Sequence, residues 1–424
     1  MAGLSDKFAK ELNAGLAASN EMLKALPTHV YSMPTGRETG QYLAVDFGGT
    51  NLRVGLVKLL GNRQYEILKE TKEIPRELKD GDGYGMFAFV AEKVKEFTVA
   101  HGISPEIELG FTFSFAVAQE DLAHGRIMGW SKEINGSAVA GKDAVGLLCS
   151  ALTAQGLGSV KVSALVNDTV GTLLAMLYCN DQTKMSVILG TGSNAAYLER
   201  VSRVQKLGRA DDGRMTIINI EWGSFGDGRD DYLPVTDVDT ELDAHSKNPG
   251  HQRYEKMISG MYLGEVFRLF LLKLQDGGHV SRVPQEPYSL TTEYMSQLHE
   301  ADDRAGHAML RARGMEIAEG SVAQIRRLCE SISLRSVQLC AMGVAAVYKR
   351  LVRDGIVGAG EACVVAVDGS LYQKYPLYRE RLQAETCRLG GSQEGWRIVL
   401  VMAEDLSSVG AAAAVAAAAG NKGR

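Results

Sequence analysis

The chain has 424 residues, 45% of them hydrophobic and 23% charged, and a net charge of -5. That is enough for two large domains, each with its own core, and the dispersed basic residues argue against a nucleic-acid face or an anionic-membrane surface. The six cysteines, at 149, 179, 329, 340, 363 and 387, form no CxxC pair and read as buried thiols of a reducing compartment. Asp6, Lys7, Lys10 and Glu11 interrupt what a signal peptide would need, and no other stretch reaches about 18 apolar residues without charge, so a cytoplasmic location is expected.

In chain order, Leu4, Phe8, Leu12 and Leu16 recur at helical spacing and predict an amphipathic helix that docks on a larger body. From Leu43 to Val57, LAVDFGGTNLRVGLV alternates on both sides of Gly48-Gly49, which predicts a β-hairpin. Glycines there permit positive φ and let backbone N–H groups approach an anion such as a phosphate, and Asp46 is placed to hold a cation or a water beside it. The same stretch taken alone also fits an ordinary hairpin.

Helix is predicted over Gly85 to Val99 and Val145 to Leu157, and strand over Glu108 to Val117 and Val160 to Leu165, making the first 165 residues an α/β lobe. The last strand runs into Asn167-Asp168-Thr169 and an apolar helical segment. A carboxylate at a strand's carboxyl end is a candidate for chemistry, although Asp168 there could equally cap the helix. SVILGTGSNAAYLE, Ser186 to Glu199, supplies a second Gly-rich strand turn. Gly250 to Leu272 carries the longest helical pattern, with a core stripe, and Gln275 to Arg327 is polar, irregular and without assignable chemistry. Ser407 to Ala419 is a strong helix former, small enough to pack closely on a sheet.

VDFGGTNLRVGLVK, LGFTFSF, ALVNDTVGTLL, VILGTGSNAAYLE, INIEWGSFGD, NPGHQRYEKMISGMYLGE and VAVDGSLY occur in the order found in eukaryotic hexokinases and fungal glucokinases. From about residue 40 onward the chain resembles that family. The resemblance implies an α/β, actin-like ATPase (ribonuclease H-like) fold, two lobes with a central cleft. The small lobe would take 40–166 plus 406–424, and the large lobe 1–39 plus 167–405.

It further implies ATP-dependent phosphorylation of glucose or a related hexose at the 6-hydroxyl, by a monomer or homodimer. Asp168 would be the general base and Lys132 a positive charge near the transferring group. Ser114, Ser131, Asn167, Asn194, Glu221 and Glu255 would bind the sugar. Asp46, Gly48, Gly49, Thr50, Asn51, Gly190, Thr191, Gly192, Ser193, Asp368, Gly369, Ser370 and Ser407 would surround the nucleotide. The metal implied is Mg²⁺ arriving with ATP, with Asp46 reaching it through water. Plainer roles exist for several: Glu221 could cap the turn at Trp222-Gly223, Glu255 could be a solvated surface acid, and Lys132 could pair with Glu133.

The chain departs from the family pattern in three places. Ala116 replaces the proline that usually follows Ser-Phe, loosening the sugar loop. Ser131-Lys132-Glu133-Ile134 stands for Thr-Lys-Gly-Phe and brings an acid toward the triphosphate. Leu406 and Ser408 replace two glycines on the adenosine side, where Leu406 is expected to be strained if the backbone there needs positive φ, or to obstruct the nucleotide. A sugar-sensing regulator with little turnover and an N-acetylglucosamine kinase are the alternatives these changes raise.

Overall fold

The computed structural model describes residues 2–19, 21–129, 137–276, 280–318, 320–358, 360–391 and 397–421. Two mixed sheets form its lobes. In spatial order the small-lobe sheet runs Gln64–Glu73, Asn51–Gly61, Thr39–Phe47, Glu108–Phe113 and Lys161–Val166. The large-lobe sheet runs Met215–Asn219, Ser193–Arg200, Thr183–Leu189, Ala362–Asp368 and Arg397–Met402, with the two-residue strand Leu26–Pro27 at its outer edge. Numbered along the chain, each five-strand set has the order 3-2-1-4-5. In both sets the first three strands are antiparallel and the last two parallel. This repeated unit is the actin-like α/β architecture.

Strand period explains the predicted hairpin: Leu43, Val45, Phe47, Leu52 and Val54 turn inward to a small-lobe core completed by Phe87, Val90 and Phe111. The predicted strand from Glu108 ends earlier than expected, at Phe113; Val117–Asp121 then begins a separate hairpin with His124–Ile127. Phe115 between them is buried against Phe47 and Phe113, which anchors the loop that lost its proline. The amide of Met128 also donates to the Ala116 carbonyl at 3.0 Å.

The helical pattern at Gly250 to Leu272 is broken at Ser259 into Arg253–Ile258 and Gly260–Asp276. Among the described residues the longest helix is Ser321–Arg353, at 33 residues. It begins inside the stretch read as irregular, which also holds the helices Thr292–Glu300 and Asp303–Ala312. By length and composition it could cross a membrane, but 78% of its apolar window is buried inside the protein. Two of its arginines pair with tertiary carboxylates: Arg350 with buried Glu199 at 2.5 Å and Arg335 with Asp239 at 2.7 Å. From Val337 to Tyr348 the helix is buried nearly all round, and that half shows no amphipathic stripe for a sequence reading to find.

Two helices cross between the lobes. Asp168–Cys179 follows the last small-lobe strand yet packs beneath the large-lobe sheet, with Val170, Leu173 and Leu174 against Ala196, Leu198 and Ile217. Ser407–Asn421 follows the last large-lobe strand yet packs on the small-lobe sheet, with Val409, Ala412, Ala413 and Ala416 against Ala44, Val57 and Leu59. Small residues are required for this crossing. A Cβ on Gly410 would lie 1.7 Å from the Gly171 carbonyl oxygen, and one on Gly110 would lie 2.6 Å from the Ala411 backbone.

The N-terminal helix Ala2–Ala17 docks through Phe8, Leu12 and Leu16 on the large-lobe core. The strap that follows it reaches the small lobe through His29, whose Nε2 lies 3.0 Å from the Gln119 carbonyl and whose Nδ1 lies 3.1 Å from the Tyr31 hydroxyl. Burial, reinforced by the Arg209 charge, holds His29 below the ordinary histidine range. The unfolded chain therefore takes up this proton first, and stability from this contact is lost as pH falls below about 6.5. In a Tm series from pH 8 to pH 5, His29→Asn, which tolerates the left-handed backbone at φ 54, is expected to flatten the acid limb of the wild-type curve. Equal slopes in the two proteins would remove His29 from the linkage.

Candidate active site

All six parallel or turn-leading strands end at one cleft, as the carboxyl ends of an open α/β sheet should. Phe47 leads into Gly48, Phe113 into Ser114, Val166 into Asn167, Leu189 into Gly190, Asp368 into Gly369 and Met402 toward Asp405. The separate motifs become one site because the topology is duplicated.

On the large-lobe side Asn167 caps the helix Asp168–Cys179, its Oδ1 accepting from the Thr169 amide at 2.9 Å. Asp168 Oδ1 also accepts from that amide, at 2.8 Å, so the capping role and a position at the strand end coexist. Asn194 donates to Asn219 at 2.7 Å, and Asn219 donates to Glu221 Oε1 at 2.9 Å. The Glu221 amide donates back to Asn194 Oδ1 at 3.1 Å. Asn167, Asn194, Asn219 and Glu221 thus form one hydrogen-bonded wall beside Asp168.

Glu221 does not cap the turn at Trp222: it makes no side-chain cap bond there and holds a left-handed backbone at φ 56. Gln252 is left-handed too, at φ 58, and its Oε1 lies 2.0 Å from where a Cβ on Gly223 would be. Strained backbone of this kind persists where surrounding structure holds it, commonly at functional sites. Glu255 is no surface acid: its Oε2 accepts from the Ser193 amide at 2.7 Å, while neighbouring Lys256 is buried and paired with Asp243 at 2.5 Å. Asn219 and Gln252 were not among the residues singled out from sequence; INIEW and NPGHQRYE contain them, but only the fold brings them to Glu221.

Each Gly-rich turn is held by backbone hydrogen bonds. Gly48 N–H closes the first by donating to the Asn51 carbonyl at 3.1 Å, with Gly49 and Thr50 at its tip. Gly260 and Met261 amides pin the second by donating to the Gly190 and Thr191 carbonyls at 2.8 and 3.1 Å. The expected use of positive φ is not found at Gly48, Gly49, Gly190 or Gly192. Space is the reason for Gly192 instead, since a Cβ there would lie 2.8 Å from Glu255 Oε2. Gly369 does need its freedom: at φ 116 its Cβ would meet the Leu189 carbonyl oxygen at 2.3 Å.

Four carboxylates converge below the turns. Asp46 Oδ2 accepts from Ser407 Oγ at 2.8 Å and from Arg53 at 3.2 Å, and Arg53 also reaches Asp405 at 3.0 Å. Lys69 pairs with Asp405, whose amide donates to Asp368 Oδ2 at 3.2 Å. Burial pushes Asp46 and Asp368 above the usual carboxylate range, and the Asp168 and Asp405 charges push both the same way.

Leu406 is not strained. The left-handed residue is Asp405, at φ 59, and Leu406 packs with Met176, Ala366 and Ala403 between the lobes. Leu406→Gly is therefore expected to cost about 1–2 kcal/mol for a half-buried leucine, and to leave KM for ATP within about twofold. Denaturant unfolding and steady-state kinetics check both halves. Ser131, Lys132 and Glu133 lie outside the described residues.

An actin-like ATPase fold with a wall of amides and carboxylates beside two phosphate-type turns is that of a sugar kinase. Two hexokinase family models match residues 1–178 and 184–417. The chain is 38% identical over 436 residues to hexokinase-4, chloroplastic, of Oryza sativa subsp. japonica, covering 98% of this chain and 84% of that protein. It is 35% identical over 423 residues to hexokinase-1 of Schizosaccharomyces pombe, covering 96% and 86%. The solved hexokinase from Schistosoma mansoni complexed with glucose superposes with a TM-score of 0.88 at 33% identity, covering 97% of this chain and 94% of that one. The chain belongs to the hexokinase family and is an ATP-dependent, hexokinase-type sugar kinase.

Proposed function

We propose that this chain transfers the γ-phosphoryl group of Mg-ATP to the 6-hydroxyl of glucose or a closely related hexose. Asp168 accepts the hydroxyl proton as the O6–Pγ bond forms and the bond from Pγ to the ADP oxygen breaks. The observation that carries this reading is the wall of Asn167, Asn194, Asn219 and Glu221 beside Asp168. A polyol needs acceptors and donors fixed in several directions, and two carboxylates with three amides supply them. Glu255, Gln252 and Ser114 extend this surface.

The four-carboxylate floor bears on the cofactor. A triphosphate meets like charge there, and a divalent cation offsets it. Among the described residues no group of three or more His, Cys, Asp or Glu side chains could hold a metal by itself. Mg²⁺ is commonly held by one or two carboxylates plus substrate phosphates. Asp46, whose Oδ2 is bonded to Ser407 and Arg53, is the residue that would hold it, through a water. When bound, the ion neutralises charge on the β- and γ-phosphates.

The test is NADP reduction coupled to glucose 6-phosphate formation, with kcat/KM compared for glucose, mannose, fructose and N-acetylglucosamine. Turnover of about 1–100 per second with glucose is expected. A tenfold preference for N-acetylglucosamine would overturn the choice of acceptor. We also place the enzyme in the cytoplasm, a reading supported by six unbridged cysteines and tested by cell fractionation.

A further inference from the structure

Ser193 sits at the corner where the second Gly-rich turn meets the sugar wall, and it is held from two sides. Its amide donates to Glu255 Oε2 at 2.7 Å, so this N–H is already taken. Its Oγ accepts a hydrogen bond from Trp222 Nε1 at 2.9 Å. The Trp222 side chain is fully buried, against Phe8 and Tyr254 at ring-centre distances of 6.4 and 5.7 Å. Its six-membered ring also lies 3.0 Å from where a Cβ on Gly343 would be. Three separate elements therefore fix the direction of the indole N–H.

An indole nitrogen can only donate, whereas a hydroxyl can accept twice and donate once. With Trp222 occupying a lone pair, the Ser193 hydroxyl keeps its own proton to give. No described residue takes that proton, and the hydroxyl belongs to the turn that faces the nucleotide. We propose that Trp222 is a positioning residue for nucleotide binding, obliging the Ser193 hydroxyl to present its proton to a phosphate oxygen. This rests on the reading of Gly190 to Ser193 as the turn that surrounds the triphosphate. Without the indole donor the hydroxyl is free to rotate toward other acceptors, the Glu255 carboxylate among them.

The experiment measures the Kd of Mg²⁺ with a non-hydrolysable ATP analogue by calorimetry, together with KM for ATP and for glucose. It uses wild type, Ser193→Ala, Trp222→Phe and the double variant. One hydrogen bond to a charged group corresponds to about tenfold, so each single variant is expected to weaken nucleotide binding about 5- to 20-fold. KM for glucose should stay within about twofold, and Trp222→Phe should add less than about twofold in the Ser193→Ala background. Effects that multiply in the double variant, or ATP and glucose constants that move together, would overturn the proposal and leave Trp222 as packing alone. Should Trp222→Phe fail to fold, benzothienylalanine at 222 keeps the ring shape and lacks only the N–H, and the same outcomes apply. A wild type that binds the analogue but phosphorylates no hexose overturns the acceptor assignment and leaves this comparison readable; one that binds no nucleotide overturns both.

Discussion

Asp168→Ala is expected to lower kcat for glucose phosphorylation by about 10²- to 10⁴-fold, the usual contribution of a positioned general base, while glucose still binds. The two effects separate because the sugar wall does not depend on Asp168. Asn194, Asn219 and Glu221 bond to one another, and Asn167 caps its helix through its own Oδ1. Asp168 itself bonds the Thr169 amide and hydroxyl, at 2.8 and 3.2 Å. Its removal also takes away one of two acceptors of that amide, a loss of about 1 kcal/mol in stability. The check is the coupled assay with purified variant, alongside the glucose-induced shift in Tm. A variant retaining a tenth or more of wild-type kcat would remove Asp168 as the base. One that lost both turnover and the thermal shift would point to a collapsed wall instead.

Gly410→Ala is expected to destabilise the fold by about 3 kcal/mol or more, although alanine is the better helix former. Two effects of opposite sign compete at this position. Helix propensity alone favours alanine by about 1 kcal/mol. Against it, the new Cβ would lie 1.7 Å from the Gly171 carbonyl oxygen, on the partner helix Asp168–Cys179. Both are backbone-anchored, so no side-chain rotation relieves the overlap, and the helices must move apart. Gly420→Ala, at the exposed end of the same helix with nothing within 4 Å, should show propensity alone and be neutral to stabilising. Denaturant midpoints of the two variants make the comparison. If Gly410→Ala matched Gly420→Ala, the close crossing of the two helices would be wrong. Because that crossing carries Asp168 on one helix and Ser407 on the other, Gly410→Ala is also expected to raise KM for both substrates.

Much of the site was legible in the sequence because its parts are local. An alternating run with Gly48-Gly49 at its centre is a hairpin wherever it occurs, and an Asn167-Asp168 pair at a strand end is at once a helix cap and an exposed carboxylate. Other features were illegible for reasons of the same physical kind. The second half of Ser321–Arg353 shows no stripe, since neighbours surround it from Val337 to Tyr348, and Arg350 and Arg335 are paired with Glu199 and Asp239. The break at Ser259 follows from a contact between distant segments, the Gly260 and Met261 amides holding the carbonyls of the second turn. Leu406 looked strained because a glycine is usual there, yet the left-handed turn falls one residue earlier, at Asp405, held by Arg53, Lys69 and Asp368.

The sequence by itself therefore determined which residue types meet the substrates, since strand period, glycine placement and helix caps act over a few neighbouring positions. Only the tertiary structure decided how those types are used. It turned Glu255 onto the Ser193 amide, set the Trp222 indole behind the Ser193 hydroxyl, and brought Asp46, Asp168, Asp368 and Asp405 to one floor. The first two contacts join residues 62 and 29 positions apart within the large lobe, while the floor depends on duplicated sheets and two crossing helices that bring together residues as far apart as Asp46 and Ser407, and no local pattern encodes contacts of that range.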